Sequence, residues 1–118
     1  MVVSARRMVS AGCHLSPSDI LITSGGTEAI DFSLHAVCRP GDIVAIESPS
    51  YFGAFQTMEV HRLRALEIPT HPRDGISLEA LEFAIEHNPI RAVFVISNFN
   101  NPLGSKIPDD RKKALVEM

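Results

Sequence analysis

The sequence predicts an α/β fold, a mainly parallel sheet with helices on its flanks. Three observations predict it. Short β-rich runs alternate with amphipathic stretches along the 118 residues. The run Val93-Phe94-Val95-Ile96 is apolar without alternation, the pattern of a strand covered on both faces in a parallel sheet. Polar turns rich in Gly, Pro, Asn and Asp punctuate the rest.

A short helical piece near Arg6 to Ala11 comes first. Ile20-Leu21-Ile22-Thr23 is the first expected strand, closed by Ser24-Gly25-Gly26. Ala29, Ile30, Ser33, Leu34, Val37 and Cys38 then recur at helical spacing. Pro40-Gly41-Asp42 stops that helix and admits a second strand over residues 43–46. An amphipathic helix from about Tyr51 to His61 follows, with Phe52, Phe55 and Met58 expected on one face. Residues 63–68 form a third strand that Pro69 closes, and Asp74-Gly75 is a turn. Ser77 is placed to cap a helix with Leu78, Leu81 and Ile85 as its apolar stripe, ended by Asn88-Pro89. The last strand is expected over residues 92–97. A polar loop from Asn98 to Pro108 leads to a final helix beginning near Asp109.

Composition bounds the function. Apolar residues make up 45% and charged residues 21%, and the formal charge is −3, so no basic field points to nucleic acid. A compact fold of this length would expose ~6,300 Å². No apolar run approaches the ~20 residues of a membrane span, and Cys13 and Cys38 stand in no metal-type spacing. A reduced cytoplasmic compartment is expected. The five histidines (His14, His35, His61, His71, His87) show no ligand spacing and are expected at the surface. The chain opens and closes abruptly, as a piece of a larger protein would.

Ligands of open α/β sheets bind beyond the carboxyl ends of the strands, and three polar segments fall there. Ser24-Gly25-Gly26-Thr27 combines two glycines with a helix N-terminus, where exposed N–H groups and the helix dipole favour an anion such as phosphate. A plain tight turn is the alternative. Pro49-Ser50-Tyr51-Phe52-Gly53 carries the one tyrosine, whose ring can stack on a flat heterocycle or simply pack on the sheet. Asn98-Phe99-Asn100-Asn101-Pro102-Leu103-Gly104 is turn chemistry, with an Asn held extended before Pro so that its amide can enter a cleft or lie in solvent.

Taken in order, these segments resemble the large domain of the aspartate-aminotransferase superfamily. Leu21 through Ile30 resembles its phosphate-binding strand–turn–helix, Arg39-Pro40-Gly41-Asp42 its loop into the next strand, Glu47 through Tyr51 its cofactor-stacking segment, and Asn101-Pro102-Leu103-Gly104 its Asn-Pro-x-Gly turn. Leu15-Ser16-Pro17-Ser18-Asp19-Ile20, with Pro49 through Gly53 and Ser97 through Gly104, is most similar to the aminotransferase-like domain of GntR-family regulators of the MocR type. The resemblance implies pyridoxal 5′-phosphate as cofactor, with Gly25, Gly26 and Thr27 on its phosphate, Tyr51 on the ring face and Asn101 on the ring's phenolic oxygen. It implies residues 1–118 as part of one large domain, without the DNA-binding winged-helix domain or the small domain of such proteins. A homodimeric parent, an amino-acid-like substrate or effector, and DNA contact only through that other domain are implied with it. The family's cofactor-bonding lysine, ring-nitrogen aspartate and carboxylate-gripping arginine lie beyond the Asn-Pro-x-Gly turn. Lys106, Lys112 and Lys113 are the only lysines here and none holds that position. This chain by itself is therefore expected not to catalyse transamination, and no metal is expected. A fragment of a free-standing aminotransferase, an inert α/β fragment and a small nucleotide- or flavin-binding α/β domain are the alternatives.

Overall fold

The computed structural model describes residues 2–118. Its elements are α1 (Val2–Ser10), a 3-10 turn (Pro17–Asp19), α2 (Gly26–Val37), β1 (Ile43–Ser48), α3 (Phe52–Val60), β2 (Arg64–His71), β3 (Gly75–Ile76), α4 (Leu78–His87), β4 (Ile90–Phe94) and α5 (Asp109–Glu117). The sheet order is β3-β2-β1-β4. β1 is parallel to both β2 and β4, and β3 folds back antiparallel on the end of β2. The α/β class is as expected.

β1 is the axis of the molecule. Five of its residues in succession, 43–47, are buried. Alternation along the strand sends Val44 and Ile46 into one core with Leu34 of α2 and Ala54 and Met58 of α3. Ala45 faces the other core, built on Ile68, Ile76, Leu78, Leu81, Ala84 and Ile107. The Ser77 hydroxyl caps α4 by accepting the Ala80 N–H at 3.2 Å; Leu78 and Leu81 are buried as expected, while Ala84 completes the buried stripe and Ile85 is only half-buried.

Several expectations are corrected. Residues 20–23 join no strand, and Leu21 and Ile22 lie exposed. β-branched character gives a segment the shape for a sheet but does not supply a neighbour to pair with. Strand β3 was hidden inside the Asp74-Gly75 turn; it exists because Ile76 is fully buried and Gly75, at φ +80°, packs directly on Ile107. Pro69 does not end β2, which runs on to His71. β3 covers only its last two residues, so elsewhere β2 is an edge where a missing N–H is tolerated. The last strand runs over residues 90–94 instead of 92–97; it is an edge strand among the described residues, and Val93 on it is exposed. On α3, Gly53, Ala54, Thr57 and Met58 face the core while Phe52 points outward. His61 is half-buried rather than superficial, its Nε2 2.7 Å from Asp31 Oδ1, and this pair joins α3 to α2.

The accessible surface is 7897 Å², well above the compact-fold expectation. Residues 6–19 are exposed throughout and the flank of β4 is uncovered among the described residues. No helix among the described residues is long and apolar enough to cross a membrane.

Candidate functional site

The first wall of the site is the turn into α2. Gly25 is the N-cap at φ +113°, a conformation that favours glycine, and Thr23 Oγ1 donates to its carbonyl at 2.9 Å. A Cβ at Gly25 or Gly26 would meet no atom within 4 Å, so the space before the helix N-terminus is open. The first N–H groups of a helix have no acceptor of their own, and here they face that space with the positive end of the dipole behind them. Glu28, one turn in, accepts the Ser24 N–H and pins the turn. Thr27 lies in the first turn of α2, exposed, and adds a hydroxyl.

The second wall is the segment after β1. Tyr51 is the N-cap of α3, with extended backbone, and its ring lies against Gly53. A Cβ at Gly53 would stand 2.5 Å from Cε1, Cζ and Oη of Tyr51, so only glycine lets the ring lie where it does. The Tyr51 and Thr27 hydroxyls are 3.5 Å apart. The structure therefore brings together Gly25, Gly26, Thr27 and Tyr51, four of the five residues singled out from the sequence.

Asn101, the fifth, sits on the loop after β4. It is exposed, and its side chain makes no hydrogen bond to another described residue. The loop is closed at its base, where the Ile107 N–H donates to the Ser97 carbonyl at 2.9 Å and Asn98 bridges to Lys106. Its inner turn is organised by Asn100. The Asn100 N–H donates to the Ser105 carbonyl at 3.0 Å and its carbonyl accepts the Gly104 N–H at 2.6 Å. Its side-chain oxygen accepts the Leu103 N–H at 3.2 Å. Gly104 has φ +73°, the left-handed conformation such a closure needs.

Sequence reasoning missed the group that ties this loop to β1. Glu47 is fully buried, and its Oε2 accepts both the Ile96 N–H at 2.7 Å and the Asn100 amide at 2.8 Å. Its Oε1 is buried without a partner. Burial pushes its carboxyl above the ordinary glutamate range, and the two donated hydrogen bonds act against that rise. The signal was present: one charged residue inside Ile43-Val44-Ala45-Ile46-Glu47 must find a partner or stay neutral. This bond also explains the early end of β4, since the Ile96 N–H is taken by a side chain instead of a strand. Gly53 was missed in the same way, although a glycine two residues after an aromatic hints at a ring lying over backbone.

Residues 4–118 match the family model for aminotransferase class I and II. The chain belongs to that family. It is 46% identical over 114 residues to the HTH-type transcriptional regulator YjiR of Escherichia coli (strain K12), covering 97% of this chain and 24% of the regulator. It is 32% identical over 113 residues to 2-aminoadipate transaminase of Thermus thermophilus, covering 96% of this chain and 28% of the transaminase. The crystal structure of LysN, alpha-aminoadipate aminotransferase from Thermus thermophilus, complexed with N-(5′-phosphopyridoxyl)-L-leucine, superposes with a TM-score of 0.85 at 32% identity. That superposition covers 96% of this chain and 29% of LysN. This member of the family thus spans about a quarter of the length of the relatives it matches.

Proposed function

We propose that residues 1–118 are the pyridoxal 5′-phosphate-binding part of an aminotransferase-like large domain, belonging to a cytoplasmic, homodimeric transcription regulator of the GntR/MocR type. The observation that carries the binding reading is the meeting of the Gly25-Gly26-Thr27 turn with the Tyr51 ring. An open, glycine-lined helix N-terminus suits a phosphate, and an aromatic ring whose hydroxyl lies 3.5 Å from that of Thr27 suits the heterocycle bonded to it. The donor set fits the group: backbone N–H groups and a hydroxyl for the anion, a phenol ring for stacking, and the Asn101 amide for a ring oxygen. Bound pyridoxal 5′-phosphate supplies an electron-withdrawing ring and an aldehyde for amino-acid chemistry.

Each residue has a distinct task. Gly25 and Gly26 keep the approach to the helix N-terminus clear. Thr27 donates a hydroxyl to the phosphate. Tyr51 shields one ring face from water, and Gly53 sets its height. Asn101 donates to the ring oxygen and helps orient an amino-acid-like effector. Three lysines are available, Lys106, Lys112 and Lys113; Lys112 is engaged with Asp109 at 3.0 Å, and none is proposed to bond the cofactor. The chain alone is therefore proposed to bind without catalysing transamination.

The regulator reading is favoured over a free-standing aminotransferase because 46% identity to YjiR runs over the same length as 32% to the transaminase. In the regulator reading, DNA contact belongs to a basic winged helix ahead of Met1. Reading the coding sequence upstream separates the two, since a short arm there would favour the enzyme.

The binding reading is tested by titrating the chain with pyridoxal 5′-phosphate, pyridoxal and inorganic phosphate while following Tyr51 emission. Saturable quenching by pyridoxal 5′-phosphate is expected. Thr27→Val should weaken it ~10-fold or more, as loss of a hydrogen bond to a charged group does, with pyridoxal unaffected. No quenching, or equal quenching by pyridoxal 5′-phosphate in both proteins, would refute the phosphate cradle. Borohydride trapping at a single site on Lys106 would refute the assignment of a non-bonding chain.

A further inference from the structure

The loop that carries Asn101 has one buried anchor, and the anchor is an ionisable group. Glu47 sits at the end of a fully buried strand, where an aliphatic residue would pack without desolvating a carboxyl. Only one of its oxygens has partners. That oxygen joins two donors from the neighbouring segment: the Ile96 N–H, where the chain leaves β4, and the Asn100 amide, at the hub of the turn. No apolar residue can accept either.

Every polar atom of Asn100 is engaged. Its backbone N–H, backbone carbonyl, amide oxygen and amide nitrogen each have a partner, at 3.0, 2.6, 3.2 and 2.8 Å. The Leu103 N–H must meet the amide oxygen, which turns the NH₂ toward Glu47, so the side chain fits only one way round. The backbone of residue 100 is thereby fixed from both sides, and Asn101 is the next residue.

We infer that Glu47 is a positioning residue for Asn101, its buried carboxyl holding Asn100 so that the Asn101-Pro102-Leu103-Gly104 turn is presented to the cofactor site in one conformation. This rests on the reading of Asn101 as a ring contact. It assigns to β1 a part in recognition, and to Asn100 the link between sheet and loop. Glu47 touches no ligand; it acts through Asn100.

The test uses this chain, isotopically labelled, as wild type, Glu47→Gln and Glu47→Met. Amide hydrogen exchange at Leu103 and Gly104 is compared with exchange in the β1–β2 ladder, which serves as the internal measure of global stability. Pyridoxal 5′-phosphate and inorganic phosphate are titrated in parallel. Glu47→Met should speed exchange at Leu103 and Gly104 at least tenfold relative to the ladder. It should weaken pyridoxal 5′-phosphate about tenfold and leave inorganic phosphate unchanged. Glu47→Gln keeps an acceptor oxygen and should restore both. Unchanged loop exchange in Glu47→Met, or equal loss in both variants, overturns the inference. If Glu47→Met does not fold, Asn100→Ala cuts the same link from the loop side, and an unchanged Gly104 amide in that variant overturns it. A wild-type chain that does not bind pyridoxal 5′-phosphate removes the proposed function, while the exchange data still decide whether Glu47 holds the turn.

Discussion

Replacing Gly53 by Ala sets two effects of opposite sign against each other. Gly53 is in the first turn of α3, and alanine there gains up to about 1 kcal/mol of helix propensity. Against this, the added methyl would stand 2.5 Å from two ring carbons and the hydroxyl oxygen of Tyr51. Carbon contacts settle near 3.5–4.0 Å, so the ring must retreat about 1 Å. Overpacking costs about 1–3 kcal/mol where neighbours cannot move, but Tyr51 is only half-buried and can swing outward. Stability should therefore change by less than about 1 kcal/mol, while the ring shifts. On the proposed stacking role of Tyr51, a ring misplaced by about 1 Å should lower pyridoxal 5′-phosphate affinity roughly tenfold, or ~1.4 kcal/mol. The assay is clean because Tyr51 is the only tyrosine and there is no tryptophan, so intrinsic emission reports this side chain alone. Quencher accessibility of that emission should rise in Gly53→Ala before any ligand is added. A variant that melts higher with unchanged emission, accessibility and affinity would refute the reasoning and reduce Gly53 to an ordinary helical position.

Three further outcomes are expected. Because burial raises the Glu47 carboxyl above its ordinary value of 4.5, the folded chain keeps that proton to higher pH than the unfolded chain. This contribution to stability is full below about pH 4.5 and is lost as pH rises through the folded value, by at most ~1.4 kcal/mol per pH unit. Glu47→Gln should flatten that limb in denaturant titrations run across the window, and parallel wild-type and variant curves would exclude Glu47 as its source. Gly75→Ala combines φ +80° with a methyl 2.4 Å from Ile107 Cγ1, and should cost about 2–4 kcal/mol in chemical denaturation; a loss under about 1 kcal/mol would mean that Ile107 is free to move. Asp31→Asn weakens the 2.7 Å pairing with His61 between α2 and α3 and should cost about 0.5–1 kcal/mol, read as a lower midpoint in urea.

What could be read from the sequence was whatever depends on neighbours along the chain. Helix α4 was legible to its cap because Ser77, Leu78, Leu81 and Asn88 act within about three turns. The turn at Ser24-Gly25-Gly26-Thr27 and the position of Tyr51 were legible for the same reason. Pairing was not. Residues 20–23 and residues 92–97 were both expected as strands, yet only the second region, as residues 90–94, has β1 beside it. The Glu47–Asn100 bond spans 53 residues, and no local pattern links the two. Nor could spacing reveal that Gly53 lies under the Tyr51 ring, which depends on how α3 leaves β1.

The alternation of β1 has a consequence for how sequences of this kind can diverge in length. Odd-numbered Ala45 and Glu47 face α4 and the loop anchor, while even-numbered Val44 and Ile46 face α2 and α3. An insertion or deletion of one residue within 43–48 would exchange the two sets, turning the carboxylate into an apolar core and leaving Asn100 without its acceptor. Single-residue length changes are thus barred from the strand and confined to outlying stretches such as residues 11–16, which are exposed and outside any helix or strand. Descendants of this fold can lengthen around the site, but the count of residues across β1 must stay even.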